Sequence, residues 1–518
     1  MHARLAALVA ITAMAAGVAG SVPGAPQQVP GLPATFARVE SGAALLRSSD
    51  CGKKGVQGPV ATGFLVGSRV VMTAHEVVTT ATSKGCRIQV GLGGHWYGTS
   101  SAKAWYDARS TVQEVNLATL ELSQPAPGHV FGFARALPRR GATVLTLGHP
   151  LGLPLNLQQG IFRRAVAMRG VPAVIAGMAA GEGNNGGPIL NGDGEAIGIV
   201  SRTSVPEEDP VAAGNFIGGA DLAHWFAASE SRDLCRAYPR GGIRDCPADS
   251  ARPGPRRWVS ISLRAGTDAG APRAPQEASV STETLARVAS GVARIRPTDC
   301  GGVKGPWPSP PGFFSSGATG FLVGSQVVMT AKHVVPTGCR SQVQLGGRWY
   351  ETTFAKAWYD SRSKVRDVDL ATLKLTRPVP GYVFRFARAV PPRSDAVATI
   401  GHPLGLPLNF QRGFFRRATV YRGFPFVIAR IDIEGGNSGG PIINSDGDVI
   451  GVTSRSPVAD EDPNDPSFVG GANLAEWFGA SASRDLCRAY PRGGIPDCPT
   501  DLARPGPRRW VSLKVRAG

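Results

Sequence analysis

The chain has 518 residues, which leaves room for two domains of about 200 residues each together with tails. Its formal net charge of +18 at pH 7 would attract polyanions, such as phospholipid headgroups or an acidic envelope glycan, to its surface. Only 7% of the residues are aromatic and no nucleic-acid-binding motif is present, so specific nucleic-acid binding is not expected. The plainer interpretation of the charge is an arginine-rich exported protein.

The N-terminus has the pattern of a secretory signal. An apolar run at residues 5–19 follows Arg4 and ends in small residues, which predicts a signal peptide at residues 1–20. The run is short for a membrane span, and no other stretch is long enough to cross a bilayer. We therefore expect a secreted or periplasmic protein without a transmembrane anchor.

The rest of the chain is a tandem duplication of one domain. The segment GFLVGS at 63–68 returns at 320–325, and RDLCRAYPRGGI at 232–243 returns unchanged at 484–495. The period of about 250 residues is the size of a whole domain rather than of a solenoid unit. We predict a first half at 36–266, a linker rich in Ala, Pro and Gly at 267–282, and a second half at 283–518.

Within each half, short apolar runs alternate with Gly, Pro and Asp turns, as at 341–345 and 449–453. This pattern is typical of an all-β barrel fold. We expect one helix near the end of each half, at 221–236 and 473–488, and an edge strand in each tail, at 258–263 and 510–515.

The eight cysteines fall four to each half, at matching positions. Behind a signal peptide, this arrangement predicts two disulfides per half in an oxidising compartment. Four cysteines can pair in more than one way, and local closure favours Cys51–Cys86, Cys235–Cys246, Cys300–Cys339 and Cys487–Cys498. No close cysteine pair has histidines at ligand spacing, so we expect no metal site, and nothing points to a cofactor.

The second half carries the residues of a nucleophilic catalyst. Ser438 lies in the glycine-rich turn GGNSGGP at 435–441, which exposes a hydroxyl and leaves backbone N–H groups free to face an oxyanion. A serine needs a base, and the base needs a third group that fixes its tautomer. His333, after an apolar strand, and Asp369, at the mouth of another strand, supply both in the chain order His, Asp, Ser.

Alignment of the halves places Glu76 at the position of His333, Asn116 at Asp369 and Asn185 at Ser438. All three catalytic residue types are therefore replaced in the first half. His75 is one residue early, where its ring would point away from the cleft, and asparagine offers no nucleophile. The first half is predicted to be a catalytically inactive copy that keeps the scaffold.

The second half resembles the trypsin-like (chymotrypsin-fold) serine peptidases, most closely the bacterial Deg/HtrA-like and glutamyl-endopeptidase-like branch. The motifs that carry the resemblance are TAKHVV at 330–335, DLA at 369–371, IGHP at 400–403, GNSGGP at 436–441 and VIGV at 449–452. The resemblance implies an all-β fold of two tandem chymotrypsin-like domains, each a pair of six-stranded β-barrels with a C-terminal helix and a short disulfide-linked tail. It places the active site in the cleft between the two barrels of a domain.

The same resemblance implies residue roles. Ser438 would be the nucleophile, His333 the general base and Asp369 its orienting partner, while the N–H groups of Gly436 and Ser438 would form the oxyanion hole. Asp432, six residues before the nucleophile, would lie at the base of the primary specificity pocket and favour Arg or Lys before the scissile bond. The alternative is that Asp432 only pairs with Arg430 or another surface arginine.

The sequence is compatible with three functions. The first is a secreted serine endopeptidase that hydrolyses protein or peptide substrates through an acyl-enzyme on Ser438. The second is a non-catalytic binding protein for an anionic envelope or extracellular partner. In the third, the first half masks the cleft of the second as an inhibitory domain.

Overall fold

In the computed structural model, the residues described are 32–51, 60–107, 114–168, 171–178, 183–201, 216–227, 232–244, 246, 256–263, 279–300, 317–360, 367–421, 423–454, 468–479, 484–496, 498 and 508–513. The predicted signal peptide at 1–20 and most of the predicted linker lie outside these residues. The linker's end does not: Val280 is fully buried, and a helix begins at Thr282.

The first barrel of half one, the repeat before the linker, consists of six strands. They are β1 (Ala43–Ser49), β2 (Val60–Gly67), β3 (Val70–Thr73), β4 (Arg87–Leu92), β5 (His95–Asp107) and β6 (Glu114–Leu122). The antiparallel order β5-β4-β1-β2-β3-β6 closes on itself because β5 also pairs with β6. Closure leaves none of these strands with an unpaired edge.

The second barrel of half one is built from β7 (Thr143–Gly148), β8 (Asn156–Met168), β9 (Val171–Gly177), β10 (Pro188–Leu190), β11 (Ala196–Ile199) and β12 (Phe216–Ala220). The order is β11-β10-β7-β8-β9-β12. An isolated bridge between Gly198 and Asp221 links the two ends of this order.

Half two, the repeat after the linker, has the same two barrels. The first is formed by β14 (Val292–Thr298), β15 (Ala318–Gly324), β16 (Val327–Thr330), β17 (Arg340–Leu345), β18 (Arg348–Asp360) and β19 (Asp367–Leu375). The second is formed by β20 (Ala396–Gly401), β21 (Asn409–Tyr421), β22 (Phe424–Ile431), β23 (Pro441–Ile443), β24 (Val449–Val452) and β25 (Phe468–Ala472). The paired strand order repeats that of half one, so the expected fold of two chymotrypsin-like domains is confirmed.

Helices are few and short. They are α1 (Leu32–Val39), α2 (His75–Ser83), α3 (Arg232–Ala237), α4 (Thr282–Ala289) and α5 (Arg484–Ala489). Within the helices expected at 221–236 and 473–488, the described residues form a π-helical turn, at Ala223–Ala227 and Ala475–Gly479, and then α3 and α5. The residues between them, 228–231 and 480–483, lie outside the described residues.

The tail of each half packs back onto the first barrel. The strand after α3, β13 (Arg256–Ile261), adds to β5, and its counterpart β26 (Arg508–Leu513) adds to β18, so both are edge strands. The ring of Trp510 on β26 packs edge-on against Trp358 at 4.8 Å, and Trp358 is completely buried. Burial of one such side chain stabilises a fold by about 1.5–3 kcal/mol.

Four disulfides join Cys51 to Cys86, Cys235 to Cys246, Cys300 to Cys339 and Cys487 to Cys498. The first and third connect the start of a barrel to the segment before its fourth strand. The second and fourth tie the terminal helix of each half to the chain that follows it. Each crosslink joins residues that lie outside the barrel strands. In the unfolded chain it closes a loop, which lowers the conformational entropy of that state.

The two halves meet through their second barrels. Phe410 on β21 pairs with Leu157 on β8, which joins the second barrels into one 12-stranded sheet. Helix α1 of half one packs against α4 of half two. Phe36, Leu157, Leu408 and Phe410 belong to one continuous apolar core that spans both halves.

Candidate active site

His333 lies where β16 leaves the first barrel of half two. Ala331 is extended (φ −74°, ψ 145°), and a single 3₁₀ turn, Lys332–Val334, carries the histidine. Pro336 follows two residues later and cannot continue a helix, because it has no N–H to donate. The His333 side chain is 43% exposed, so a substrate can reach it.

Asp369 contacts His333 through both its carboxylate oxygens. The backbone N–H of His333 donates to Oδ1 at 2.9 Å, and the ring Nδ1 lies 3.1 Å from Oδ1 and 3.0 Å from Oδ2. The backbone of Asp369 is left-handed (φ 48°), a conformation that aspartate adopts more readily than most residues. This conformation lets one carboxylate hold both the backbone and the ring of the histidine.

Ser454, two residues after β24, donates its hydroxyl to Asp369 Oδ2. Burial of the carboxyl opposes ionisation, but the hydrogen bonds from His333 and Ser454 outweigh it and hold the pKa of Asp369 below its ordinary value. Asp369 is therefore a carboxylate near neutral pH. Because a carboxylate only accepts hydrogen bonds, Nδ1 of His333 is the donor to Asp369, which in a neutral ring leaves the lone pair on Nε2.

The turn that carries Ser438 packs closely against the two strands that precede His333. Gly439 is left-handed (φ 87°), and a Cβ there would collide with Thr330 and with the backbone of Thr319. The N–H of Thr319 donates to the Ser438 carbonyl at 3.0 Å, and its hydroxyl donates to the Gly436 carbonyl at 2.7 Å. These contacts fix the serine turn relative to β15 and β16.

The backbone next to Ser438 has a polarity that suits an anion. The N–H of Leu404 donates to the carbonyl of Gly435 at 2.6 Å. In a trans peptide the N–H points opposite to the carbonyl, so the N–H of Gly436 faces away from Leu404. Among the described residues, no acceptor takes a hydrogen bond from the N–H of Gly436 or of Ser438.

The structure thus brings His333 and Asp369 into direct contact and places the Ser438 turn against the strand end that leads to His333. Within the described part of the chain, the Ser438 hydroxyl forms no hydrogen bond with His333. Such a bond often tightens only when substrate is bound. Ser454 and Thr319 were missed from the sequence, although a serine and a threonine also stand at the matching positions 201 and 62 of half one.

In half one the three replaced residues are linked to one another. Asn185 Nδ2 donates to Glu76 Oε1 at 2.6 Å, and the N–H of Glu76 donates to Asn116 Oδ1 at 3.0 Å. Asn116 Nδ2 in turn donates to Ser201 Oγ at 2.6 Å. Asn116 has the same left-handed backbone as Asp369 (φ 49°). His75, one residue before Glu76, begins α2 and is buried.

Asp432 ends up partly buried just beyond β22. Burial, with a smaller contribution from the charge of Glu434, raises the pKa of Asp432 to about 6. Among the described residues, its carboxyl has no ion pair or hydrogen bond, so it does not pair with Arg430. Ala179, its counterpart in half one, lies outside the described residues.

His402, in the segment IGHP, has a structural environment. Its Nδ1 lies 3.1 Å from the Leu406 carbonyl, and burial lowers the pKa of the ring to about 4. The ring is therefore neutral at physiological pH. No group of three or more metal-ligating side chains converges anywhere in the described ranges.

None of the helices in the described part of the chain is long and apolar enough to span a membrane.

Comparisons with known proteins find serine proteases among the relatives of this chain. Serine protease Rv3671c of Mycobacterium tuberculosis is 30% identical over 155 residues, which are 27% of this chain and 36% of the relative. Mitochondrial serine protease HTRA2 of Bos taurus is 29% identical over 187 residues, which are 33% of this chain and 39% of the relative. The chain thus spans about a third of the length of these curated relatives.

Among solved structures, the active form of the Rv3671c protease covers 42% of this chain and 87% of its own, at 23% identity and a TM-score of 0.31. A family model described as a trypsin-like peptidase domain matches residues 61–199 and again 318–452, together more than half of the 518 residues. Both matched ranges extend from the second strand of the first barrel to near the end of the second. The chain therefore belongs to the trypsin-like peptidase domain family, with one copy of the domain in each half.

Proposed function

We propose that this protein is a secreted serine endopeptidase whose single active site lies in half two. The observation that carries the proposal is the hydrogen-bonded series from Ser454 through Asp369 to His333, beside the turn that presents Ser438. The series holds Nδ1 of His333 on Asp369, so Nε2 is the ring nitrogen left to act as the general base. Membership of the trypsin-like peptidase family supports the same reaction.

In the proposed reaction, Ser438 Oγ attacks the carbonyl carbon of the scissile peptide bond while His333 Nε2 takes its proton. The negative charge that forms on the carbonyl oxygen is stabilised by the N–H groups of Gly436 and Ser438. His333 then returns the proton to the leaving amine, which leaves an acyl-enzyme on Ser438. A water molecule, deprotonated by the same ring, hydrolyses the ester and restores the serine.

Asp369 stabilises the imidazolium that exists while His333 holds the serine proton. Its lowered pKa keeps it ionised at the pH at which a histidine can act as a base. An amide at this position, as at Asn116, could not hold the ring in the same tautomer with the same charge.

Half one is the inactive copy in this proposal. The amide of Asn185 has no proton that a base could remove to make an attacking group, and it already donates to Glu76. The side-chain N–H of Asn185 donates to Glu76 at 2.6 Å, so half one has a hydrogen bond at the position where half two has the proposed nucleophile and base.

The proposed substrates are polypeptides with Arg or Lys before the scissile bond. A partly buried carboxyl without a partner among the described residues is costly to ionise, and a cationic side chain would offset that cost. Asp432 is such a group, and its position six residues before Ser438 supports this preference. The net charge of +18 supports the further proposal that the protein associates with anionic surfaces or glycans.

The test is covalent labelling with a fluorophosphonate, which reacts with activated serine hydroxyls. The wild-type chain should take up one label, located at Ser438 by peptide mapping, while Ser438→Ala should take up none. Asn185→Ala is the matched control in half one and should label like the wild type. Correctly folded wild-type protein that stays unlabelled would refute the proposed activity.

A further inference from the structure

The contact between the halves has the symmetry of a homodimer. Asn156 on β8 accepts the N–H of Arg412 through its Oδ1 at 2.6 Å. At the matching positions, Asn409 on β21 accepts the N–H of Gln159 through its Oδ1. Residue i of one half thus contacts residue j of the other, and j contacts i, which defines an isologous interface.

The longer side chains of the same strands repeat this relation. Arg412 donates through Nη1 to the carbonyl of Leu155 at 3.0 Å, and Gln159 donates through Nε2 to the carbonyl of Leu408. Asn156, Gln159, Asn409 and Arg412 are each at least 96% buried, so these hydrogen bonds form away from water. A buried polar contact of this kind fixes the register of one strand against the other, because any slip would leave several groups unsatisfied.

Between Asn409 and Arg412 on β21 lies Gln411, which faces the active site. Its Oε1 accepts the side-chain N–H of Asn437, the residue that immediately precedes Ser438, at 3.2 Å. Asn437 is completely buried, and its Oδ1 has no partner among the described residues, so the bond to Gln411 is the one hydrogen bond that its side chain makes there. The interface strand and the nucleophile turn are therefore joined by one side-chain contact.

We propose that half one positions the nucleophile of half two, acting through β8, the register of β21, and the Gln411–Asn437 hydrogen bond. In this role Gln411 and Asn156 are positioning residues, and the inactive copy is a part of the catalytic unit rather than a spare domain. The proposal rests on the peptidase activity proposed above.

The chain contains its own matched control. In half one, Asn184 donates to Gln158 at the same 3.2 Å, and Asn184 precedes Asn185, which is no nucleophile. A change at Gln158 thus removes the same bond, at an equally buried site, from a turn that carries no chemistry.

The experiment measures the rate constant and the final amplitude of fluorophosphonate labelling, together with kcat and KM on a peptide ester, for the full-length chain. Gln411→Met removes the acceptor at nearly constant volume and should lower the labelling rate constant and kcat about tenfold, with KM unchanged. Gln158→Met should match the wild type. Asn156→Ala, a change in half one, should lower the same two constants about threefold to tenfold.

Amplitude separates positioning from unfolding, because an unfolded fraction lowers the amount labelled while a misplaced serine lowers the rate constant at full amplitude. If Asn156→Ala yields too little folded protein, Asn156→Ser, whose hydroxyl is too short to reach the Arg412 N–H, carries the same test. The proposal is overturned if Gln411→Met and the Asn156 variant react at the wild-type rate, or if Gln158→Met is slowed as much as Gln411→Met. A wild-type chain that never labels would instead refute the peptidase activity.

Discussion

Ser454 and Ser201 occupy matching positions in the two halves but bond in opposite directions. Ser454 donates to the carboxylate of Asp369, whereas Ser201 accepts from the amide of Asn116. A hydroxyl can do either, so one residue serves both the charged and the neutral partner. The direction of the serine hydrogen bond therefore depends on one residue, which is a carboxylate (Asp369) in half two and an amide (Asn116) in half one.

Ser454→Ala should lower kcat about tenfold with little change in KM, because a hydrogen bond to a charged group contributes about 1.5–3 kcal/mol and the variant leaves Asp369 less firmly oriented. Steady-state kinetics on a peptide ester measures the effect. Ser201→Ala is the paired variant in half one and should keep wild-type kinetics. Equal losses from the two variants would show that the effect is structural.

Asp432 should make stability and substrate binding respond to pH in opposite directions. Its pKa rises from 3.8 to about 6 on folding, so the folded chain keeps a proton that the unfolded chain loses between pH 4 and pH 6. The free energy of unfolding should therefore fall across this range as pH rises. In Asp432→Asn, thermal unfolding at pH 4 and pH 6.5 should show a smaller fall.

Binding of an Arg or Lys side chain needs the ionised form, so wild-type KM for such a substrate should decrease as pH rises through 6. Asp432→Asn should have a high KM without this pH dependence. A variant that cleaves after Arg as well as the wild type does would remove Asp432 from the specificity pocket.

At the scale of residues, the sequence predicted the three candidate catalytic residues. The glycine pattern around Ser438 and the chain order of His333, Asp369 and Ser438 require only local motifs and a family resemblance. Ser454 could not be found in the same way, because a serine after a strand has no local mark of its partner. Gln411 was hidden for a different reason: a glutamine in a strand is usually expected on the solvent side, whereas this one is 99% buried.

At the scale of elements, the halves differ where β3 and β16 end. Ala74 and Ala331 have nearly the same backbone conformation, yet nine residues of α2 follow the first and one 3₁₀ turn follows the second. Pro336 stops the helix in half two, whereas Thr79 and Thr80 at this point of half one allow it to continue. Within the predicted helix at 473–488, the described residues begin with a π-helical turn and end in α5, and sequence periodicity does not show such a change of helix type.

The scaffold of half one should still accept a triad. The N–H of residue 76 donates to the side chain of residue 116 at 3.0 Å, as that of His333 does to Asp369 at 2.9 Å. In a Ser438→Ala background, the triple change Glu76→His, Asn116→Asp and Asn185→Ser should therefore restore measurable fluorophosphonate labelling, now at position 185. The same chain with only Asn185→Ser is the control and should react far more slowly. Equal reactivity of the two would show that the restored histidine does not reach the serine.

At the scale of the whole molecule, the halves share a core and a sheet. Arg412 extends the symmetric contact: its Nε donates to the carbonyl of Val280 at 2.9 Å and its Nη2 to the hydroxyl of Thr282 at 2.8 Å. Glu40 lies 3.5 Å from the same guanidinium. Glu40 belongs to half one and also accepts the Thr282 hydroxyl at 2.9 Å, which anchors the start of half two to half one. None of this was visible from the sequence, because contacts between distant strands leave no periodic signal.

The halves should stay together when the linker is cut. A protease site inserted between residues 267 and 278 and cleaved after folding should give two fragments that co-elute as one species in gel filtration and label at the uncut rate. An insertion without cleavage is the control. Separation of the fragments at micromolar concentration would mean that the shared core and the strand pairing contribute too little free energy to hold the halves together.

The self-complementary contact also bears on association between chains. The face that half one offers to its own half two fits half two of a second chain equally well, so two chains can exchange halves and form a swapped dimer with every native contact preserved. What favours the closed monomer is the linker, which keeps the partner half at a high effective concentration. Shortening the linker would remove that advantage, so we expect a shorter linker to shift the balance from a closed monomer toward a swapped dimer.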